Sequence, residues 1–127
     1  MNDRLKVVYD DPFVHVSLQG KTSMMLSIEA VVRSVWTAKR HGAKGILFDI
    51  RESVSDDFHT RVVKLAAEAP TLGIDAYRIA VLGHPADPRL PFIEDVAADR
   101  GIRARTFSDR GAAVAWLQDA DGDSRAA

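Results

Sequence analysis

The stretch RIAVLGHPADPRLPFIEDVAADRGIRARTFSDRGAAVAWL, Arg78–Leu117, constrains this chain more than any other. Ile79–Leu82 is a compact apolar run between Arg78 and the breakers Gly83 and Pro85, which suits a strand buried on both faces. Asp87-Pro88 starts a helix: Asp caps free amides, and Pro at the first helical position loses no bonded N–H. Phe92/Val96 and Ile93/Ala97 then form one apolar stripe, and Arg100-Gly101 ends it with a cation and a residue free to take positive φ. Residues 102–107 alternate Ile102, Ala104, Thr106 against Arg103, Arg105, Phe107, as in a strand near a sheet edge. Ser108-Asp109 caps a last helix, with Ala113/Leu117 and Ala112/Trp116 expected to face inward. The unit reads β-α-β-α.

The preceding residues extend that pattern. Strands are expected at 5–9 and 13–18, antiparallel across the Asp10-Asp11-Pro12 turn. A long helix follows over Ser23–Arg40, with an expected inward stripe of Met25, Ile28, Val32 and Val35 and Trp36 beside it. Lys39, Arg40, His41 and Gly42 are suited to its carboxyl end. Gly45–Ile50 reads as a third strand. Phe58, Val62, Leu65 and Ala69 mark a helix ended by Pro70, with Thr71–Tyr77 a loop. The order is β-β-α-β-α-β-α-β-α, an α/β mixed sheet in which only the amino-terminal hairpin is antiparallel. Strands are placed near 5–9, 13–18, 45–50, 78–82 and 102–107. One domain spans 1–118, and the small polar residues 119–127 read as a frayed tail.

Composition excludes more than it assigns. A chain of 127 residues with 46% hydrophobic content can bury roughly two-thirds of its unfolded surface. A net charge of −1 gives no reason to expect nucleic acid or an anionic membrane. With no cysteine there is no disulfide, thiol nucleophile or thiolate metal site. No segment approaches ~20 apolar residues and the opening lacks a signal-peptide core, so the expectation is a cytoplasmic protein.

No motif for chemistry is complete. Gly20-Lys21-Thr22 lacks the glycine five residues earlier that a phosphate loop needs, since His15 stands there, and reads as a helix entry. His15, His41, His59 and His84 have no metal-ligand spacing and read as surface or capping residues; no metal and no cofactor is expected. Arg89, Arg100, Arg103, Arg105 and Arg110 interleave with Asp87, Glu94, Asp95, Asp99 and Asp109, as on a solvated, mutually neutralised face. Ligands of open α/β sheets gather beyond the carboxyl ends of parallel strands. The weak ligand candidates there are Asp49, Arg51, His84 and Ser108, as an anion site.

The element order, with Gly101, Phe107, Ser108-Asp109, Ala112-Ala113 and Trp116-Leu117 closing the chain, resembles the SpoIIAA-like family of bacterial proteins, also described as STAS/SEC14-type domains. The resemblance implies a small α/β domain with helices largely on one side of the sheet. In anti-sigma-factor antagonists of this topology an Asp-Ser pair, followed by Gly, opens the helix after the third strand, and its serine is phosphorylated. Laid on this chain from Asp49, the pattern puts Asp56 at the aspartate and Asp57 at the serine, followed by Phe58-His59. The phosphorylatable serine is absent there, although Ser53 and Ser55 stand slightly earlier. The resemblance thus implies a non-catalytic regulatory or protein-interaction domain. Its SEC14 side, with Met24-Met25-Leu26, implies instead a carrier of a small apolar or lipid-like ligand. An enzyme would need His84 to work with Asp49 or Ser108. Met24-Met25-Leu26 and an outward Phe13 lead to an expected homodimer, and Trp116 is expected to pack on the sheet with Ala113 and Leu117.

Overall fold

In the computed structural model, which describes residues 4–119, five strands form one sheet in the spatial order β1-β2-β3-β4-β5. The strands are β1 (Leu5–Asp10), β2 (Phe13–Lys21), β3 (Gly45–Val54), β4 (Arg78–Leu82) and β5 (Ala104–Phe107). Only β1 and β2 run antiparallel, and every other pair is parallel. The helices are α1 (Met24–His41), α2 (Phe58–Ala67), α3 (Ala69–Leu72), α4 (Arg89–Asp99) and α5 (Arg110–Gln118). The mixed α/β sheet and its antiparallel hairpin are as the element order predicts. The expected tail beyond Asp119 lies outside the described residues. Among the described residues no helix is long and apolar enough to cross a membrane.

Register explains the two cores. Val14, Ile46 and Ile79 pair side by side, as do Val16, Phe48 and Val81, and both rows turn to the face that carries α1 to α4. The alternate residues Phe13, Leu47, Ala80 and Leu82 turn to the opposite face, where Ala113 and Leu117 of α5 close over them. Two capping expectations hold locally, at Asp109 and Gly42, and Ser23, expected inside the helix, caps it instead. The Ser23 side chain accepts from the Leu26 amide, Asp109 accepts from the Ala112 amide, and Gly42 ends α1 at φ 65.

Several expectations are corrected. Phe13 is not on an outer face: it is 2% exposed, because α5 crosses the side of the sheet that a two-layer reading leaves wet. Of the stripe expected to bury α1, only Val35 is buried; the rest is turned outward. Met25, Ile28, Val32 and Trp36 are exposed, and Leu26, Ser27, Ala30, Ser34, Val35 and Ala38 face the sheet. Ala112 is exposed, whereas Ala113 and Leu117 are buried as expected. Trp116 is half-buried against the second core, its ring 5.8 Å from that of Phe107.

Strands β2 and β3 run on past the expected ends, pairing from Gln19↔Glu52 to Lys21↔Val54 after a register shift. β5 begins at Ala104 rather than at residue 102. Pro70 does not end the helical path; it opens a further turn, which Gly73 closes at φ 83 before a 3-10 turn over Ile74–Ala76. A proline in a first helical turn gives up no hydrogen bond.

Candidate functional site

The strand ends hold the sequence candidates, but as separate pairs. The Arg51 guanidinium donates to both carboxylate oxygens of Asp49 at 3.0 and 2.9 Å, and the Arg51 amide donates to Oδ1. Burial alone would raise the pKa of Asp49; the Arg51 bonds, with the charges of Arg51 and Arg110, hold it below its ordinary value. His84 is exposed, its carbonyl accepting from the Asp87 amide. Ser108 lines a hollow with Leu90, Glu94 and Phe107, and the Glu94 carboxylate there is occupied by the Thr106 amide and hydroxyl at 2.8 and 2.6 Å. Among the described residues no hydrogen bond or ion pair joins Arg51, His84 and Ser108. No group of His, Asp and Glu among them could hold a metal ion.

Of the arginines expected on a neutralised face, Arg89 and Arg110 have specific partners. Arg89 grips Asp87 through Nε and Nη2, then reaches back to the Ser53 hydroxyl and the Ile50 carbonyl, both at 3.1 Å, clipping α4 to the end of β3. Asp87, which burial would raise, is held below its usual range by that grip. Arg110 lies 2.7 Å from His15 Nδ1. Burial first, then the charge of Arg110, lowers the pKa of His15, while Asp10 opposes the change weakly. His15 is thus a half-buried neutral imidazole accepting at Nδ1, not a surface residue. Arg78, itself 3% exposed, donates to the Asp119 carbonyl at the carboxyl end of α5 and stacks 4.2 Å from the Trp116 ring.

A second locus lies at the start of α2, and sequence reasoning saw only its edge. Asp57, at the position where the resemblance puts the phosphorylated serine, pairs with Arg61 at 2.5 Å, four residues on. Arg61 is 4% exposed. Its Nη1 donates to the hydroxyls of Thr22 and Ser27, and its Nη2 to the Thr22 carbonyl as well as to Asp57. Thr22 in turn bonds Val54 through its amide and hydroxyl. One buried guanidinium therefore ties together the exit of β2, the start of α1, the end of β3 and the start of α2. Asp56, by contrast, is exposed and pairs with Lys21 at 2.9 Å. Ser53 is buried and bonded to Ile50 and Arg89, so its hydroxyl is not presented for modification. Ser55 is half-buried and faces the same interior as Arg61.

That interior borders a cavity of about 190 Å³, open to solvent and lined by the sheet, α1, α2 and α4. Its wall is mainly apolar, with Phe48, Val81, Leu65 and Ile93 among the larger side chains, and its polar share comes from Thr22, Ser27, Ser53, Ser55 and Arg61. Hydrophobic patterning finds each wall segment but cannot show that the segments fall short of meeting. The one available signal was the Asp57/Arg61 spacing, which puts an acid and a base on one helical face.

A scan against protein-family models matches nothing, and neither does a search of curated proteins. Among solved structures, an uncharacterised DUF3478-family protein with a SpoIIAA-like fold from Shewanella loihica superimposes at TM-score 0.60 and 17% identity, over 89% of this chain and 91% of its own. The anti-sigma factor antagonist SpoIIAA in its unphosphorylated form aligns at TM-score 0.58 and 14% identity, covering 91% and 98%. An anti-sigma factor antagonist from Mycobacterium paratuberculosis aligns at TM-score 0.58 and 17% identity, covering 91% and 93%. The fold is SpoIIAA-like.

Proposed function

We propose that the chain is a non-catalytic regulatory domain that docks onto a protein partner through the outer face of α1. The observation that carries this is the row Met25, Ile28, Val32 and Trp36, which follows one helical face while Met25 stays 82% and Trp36 61% exposed. Folding alone puts polar side chains on such a face. Apolar residues scattered singly need no explanation, whereas a contiguous row marks a contact surface. Arg40 lies 5.1 Å over the Trp36 ring, and Trp and Arg are the residues most often found at interface hot spots. Two solved neighbours are anti-sigma factor antagonists, which supports a protein as the partner. With Asp57 in place of the serine and engaged by Arg61, docking proceeds without phosphate control at that position.

The test is a photocrosslinking residue at Val32, compared with one at the exposed Asp95 on α4, in cells that naturally make the protein. An adduct with one other protein, formed at 32 and not at 95, is expected. A doubled chain mass at 32 would make the surface a homodimer contact instead, without the contribution once expected of Phe13. No adduct at 32 overturns the docking function.

A second reading has its own observation. The open, mainly apolar cavity of about 190 Å³ beside Arg61 supports a carrier of a small apolar molecule.

A further inference from the structure

An open sheet presents unpaired backbone groups at both edges, and the two edges of this sheet differ. On β5 the outward Thr106 amide is taken by the Glu94 carboxylate at 2.8 Å, which also accepts from the Thr106 hydroxyl, so that edge is blunted. On β1 nothing comparable stands. The Gln19 amide donates to the Arg4 carbonyl at 2.9 Å, and this fixes the alternation along the hairpin. Backbone groups of Lys6, Val8 and Asp10 turn to β2, and those of Leu5, Val7 and Tyr9 turn to the outer edge. Among the described residues no hydrogen bond meets them there.

Side chains decide what can pair with that edge. Leu5, Val7 and Tyr9 pack into the core on the α1 face. Lys6, Val8 and Asp10 lie on the other face, where α5 covers β3 to β5, and all three are exposed, Val8 at 42% and the Asp10 side chain at 70%. Along the strand they run cation, apolar, anion at alternate positions. That order complements its own reverse. In an antiparallel pair centred on Val8, Lys6 faces Asp10 of the partner subunit at both ends and the two valines meet between them. Val7 then faces Tyr9 of the partner subunit, and each such pair exchanges both of its outward backbone bonds. Opposite charges directly across strands stabilise a pair and like charges weaken it. Sliding by two residues sets a charge against valine, and sliding by four sets like charges together, so the pattern selects one register.

We propose that β1 pairs antiparallel with β1 of a second copy of this chain, about a two-fold axis at Val8, joining the two sheets into one. Two-fold pairing is the commonest closed assembly. The contact uses neither Phe13 nor the outer row of α1, so it stands independently of the docking reading.

Sedimentation velocity of the full chain from about 5 to 500 µM tests it, since an edge contact this short is weak. The mass is expected to rise from one chain to two over that range. Lys6→Asp, which sets carboxylates opposite each other at both ends, should hold it at one chain. Adding Asp10→Lys restores opposite signs in swapped order and should bring the dimer back, with circular dichroism checking that each variant is folded. Amide exchange on the parent gives a readout specific to this edge: protection at Val7 and Tyr9 should rise with concentration, while Lys6, Val8 and Asp10, already bonded within the hairpin, change little. A one-chain mass throughout overturns the proposal and leaves the docking reading intact. A dimer in which Val7 and Tyr9 gain no protection, or a charge-swapped double variant that is folded but monomeric, overturns it as well.

Discussion

Replacing Arg61 by methionine tests whether the junction of β2, α1, β3 and α2 is held by a buried hydrogen-bond cradle or by an ion pair. Methionine keeps much of the apolar stem and removes every donor. Thr22 Oγ1 would keep its bond to the Val54 carbonyl at 3.2 Å, and Ser27 Oγ its bond to the Ser23 carbonyl at 3.0 Å. The Thr22 carbonyl would lose its Arg61 donor. An abandoned buried acceptor costs about 1–3 kcal/mol, and the hydroxyl bonds add about 1 kcal/mol. Asp57 is 55% exposed, so water takes over much of its solvation and no large buried-charge penalty follows. Arg61→Met should therefore lose about 2–4 kcal/mol, or roughly 8–15 °C in melting midpoint for a domain of this size. Asp57→Asn keeps an acceptor oxygen at the half-exposed end and should lose about 1 kcal/mol or less. Urea unfolding of the two single variants and the double variant closes the cycle. Should Asp57→Asn prove as costly as Arg61→Met, with the double variant no worse than either, the ion pair holds the junction and the cradle argument is refuted.

Phe13→Ala should lose about 3–5 kcal/mol in urea unfolding, because the ring is buried beneath α5, whereas Met25→Ala should stay within about 0.5 kcal/mol. Phe13→Glu should accordingly fail to fold rather than yield a folded monomer. A Cβ on Gly45 would stand 2.8 Å from Leu117 Cδ2 and 3.2 Å from the Arg78 carbonyl, so Gly45→Ala should lose about 1–3 kcal/mol; a parent-like melt would mean that α5 does not lie there. Acidification should destabilise in two steps of the same sign. His15, ordinarily near 6.5, is lowered in the folded chain, so its contribution is complete above 6.5 and fades as pH falls through the folded value. Asp49, Asp87 and Glu94 are also lowered, so theirs is complete above about 4.5 and fades at lower pH. Midpoints recorded from pH 8 to about 3 check this, and His15→Gln should flatten only the upper step.

The sequence was legible where one residue type could do only one thing. Ile79–Leu82 and Gly45–Ile50 are short apolar runs between breakers, and both are buried parallel strands. Ser23, Asp109, Gly42 and Gly101 stand at caps or at positive φ as their chemistry requires. Legibility failed where the outcome depended on something remote. Gln19–Lys21 and Arg51–Ser53 have no apolar signal; they become strand because the two segments supply each other's backbone partners. Phe13 alternates correctly along β2, yet which face is wet depended on α5, almost a hundred residues later in the chain. Arg61 looks like an ordinary surface cation until Thr22 and Ser27, 39 and 34 positions away, close around it. The strand-end candidates stand apart for a nearer reason: Arg51 is engaged by the carboxylate of Asp49, two residues before it.

The inversion of α1 has a physical cause, and the cause bears on function. Patterning weights each position by hydrophobicity, so large side chains at 25, 28, 32 and 36 outvote the small ones. The face that meets the sheet is instead Ser27, Ala30, Ser34 and Ala38, with Leu26 and Val35 at its margins. Small side chains let the helix axis come close to the strands, and the serine hydroxyls there are satisfied locally, Ser34 on the Val31 carbonyl at 2.8 Å and Ser27 on that of Ser23. A helix seated in this way needs nothing apolar on its far side. Met25, Ile28, Val32 and Trp36 therefore contribute little to folding the domain, and polar replacements at these positions should leave the fold's stability nearly unchanged. These residues, which folding does not require and which line one helical face, are the ones on which the docking proposal rests and which the crosslink at Val32 tests.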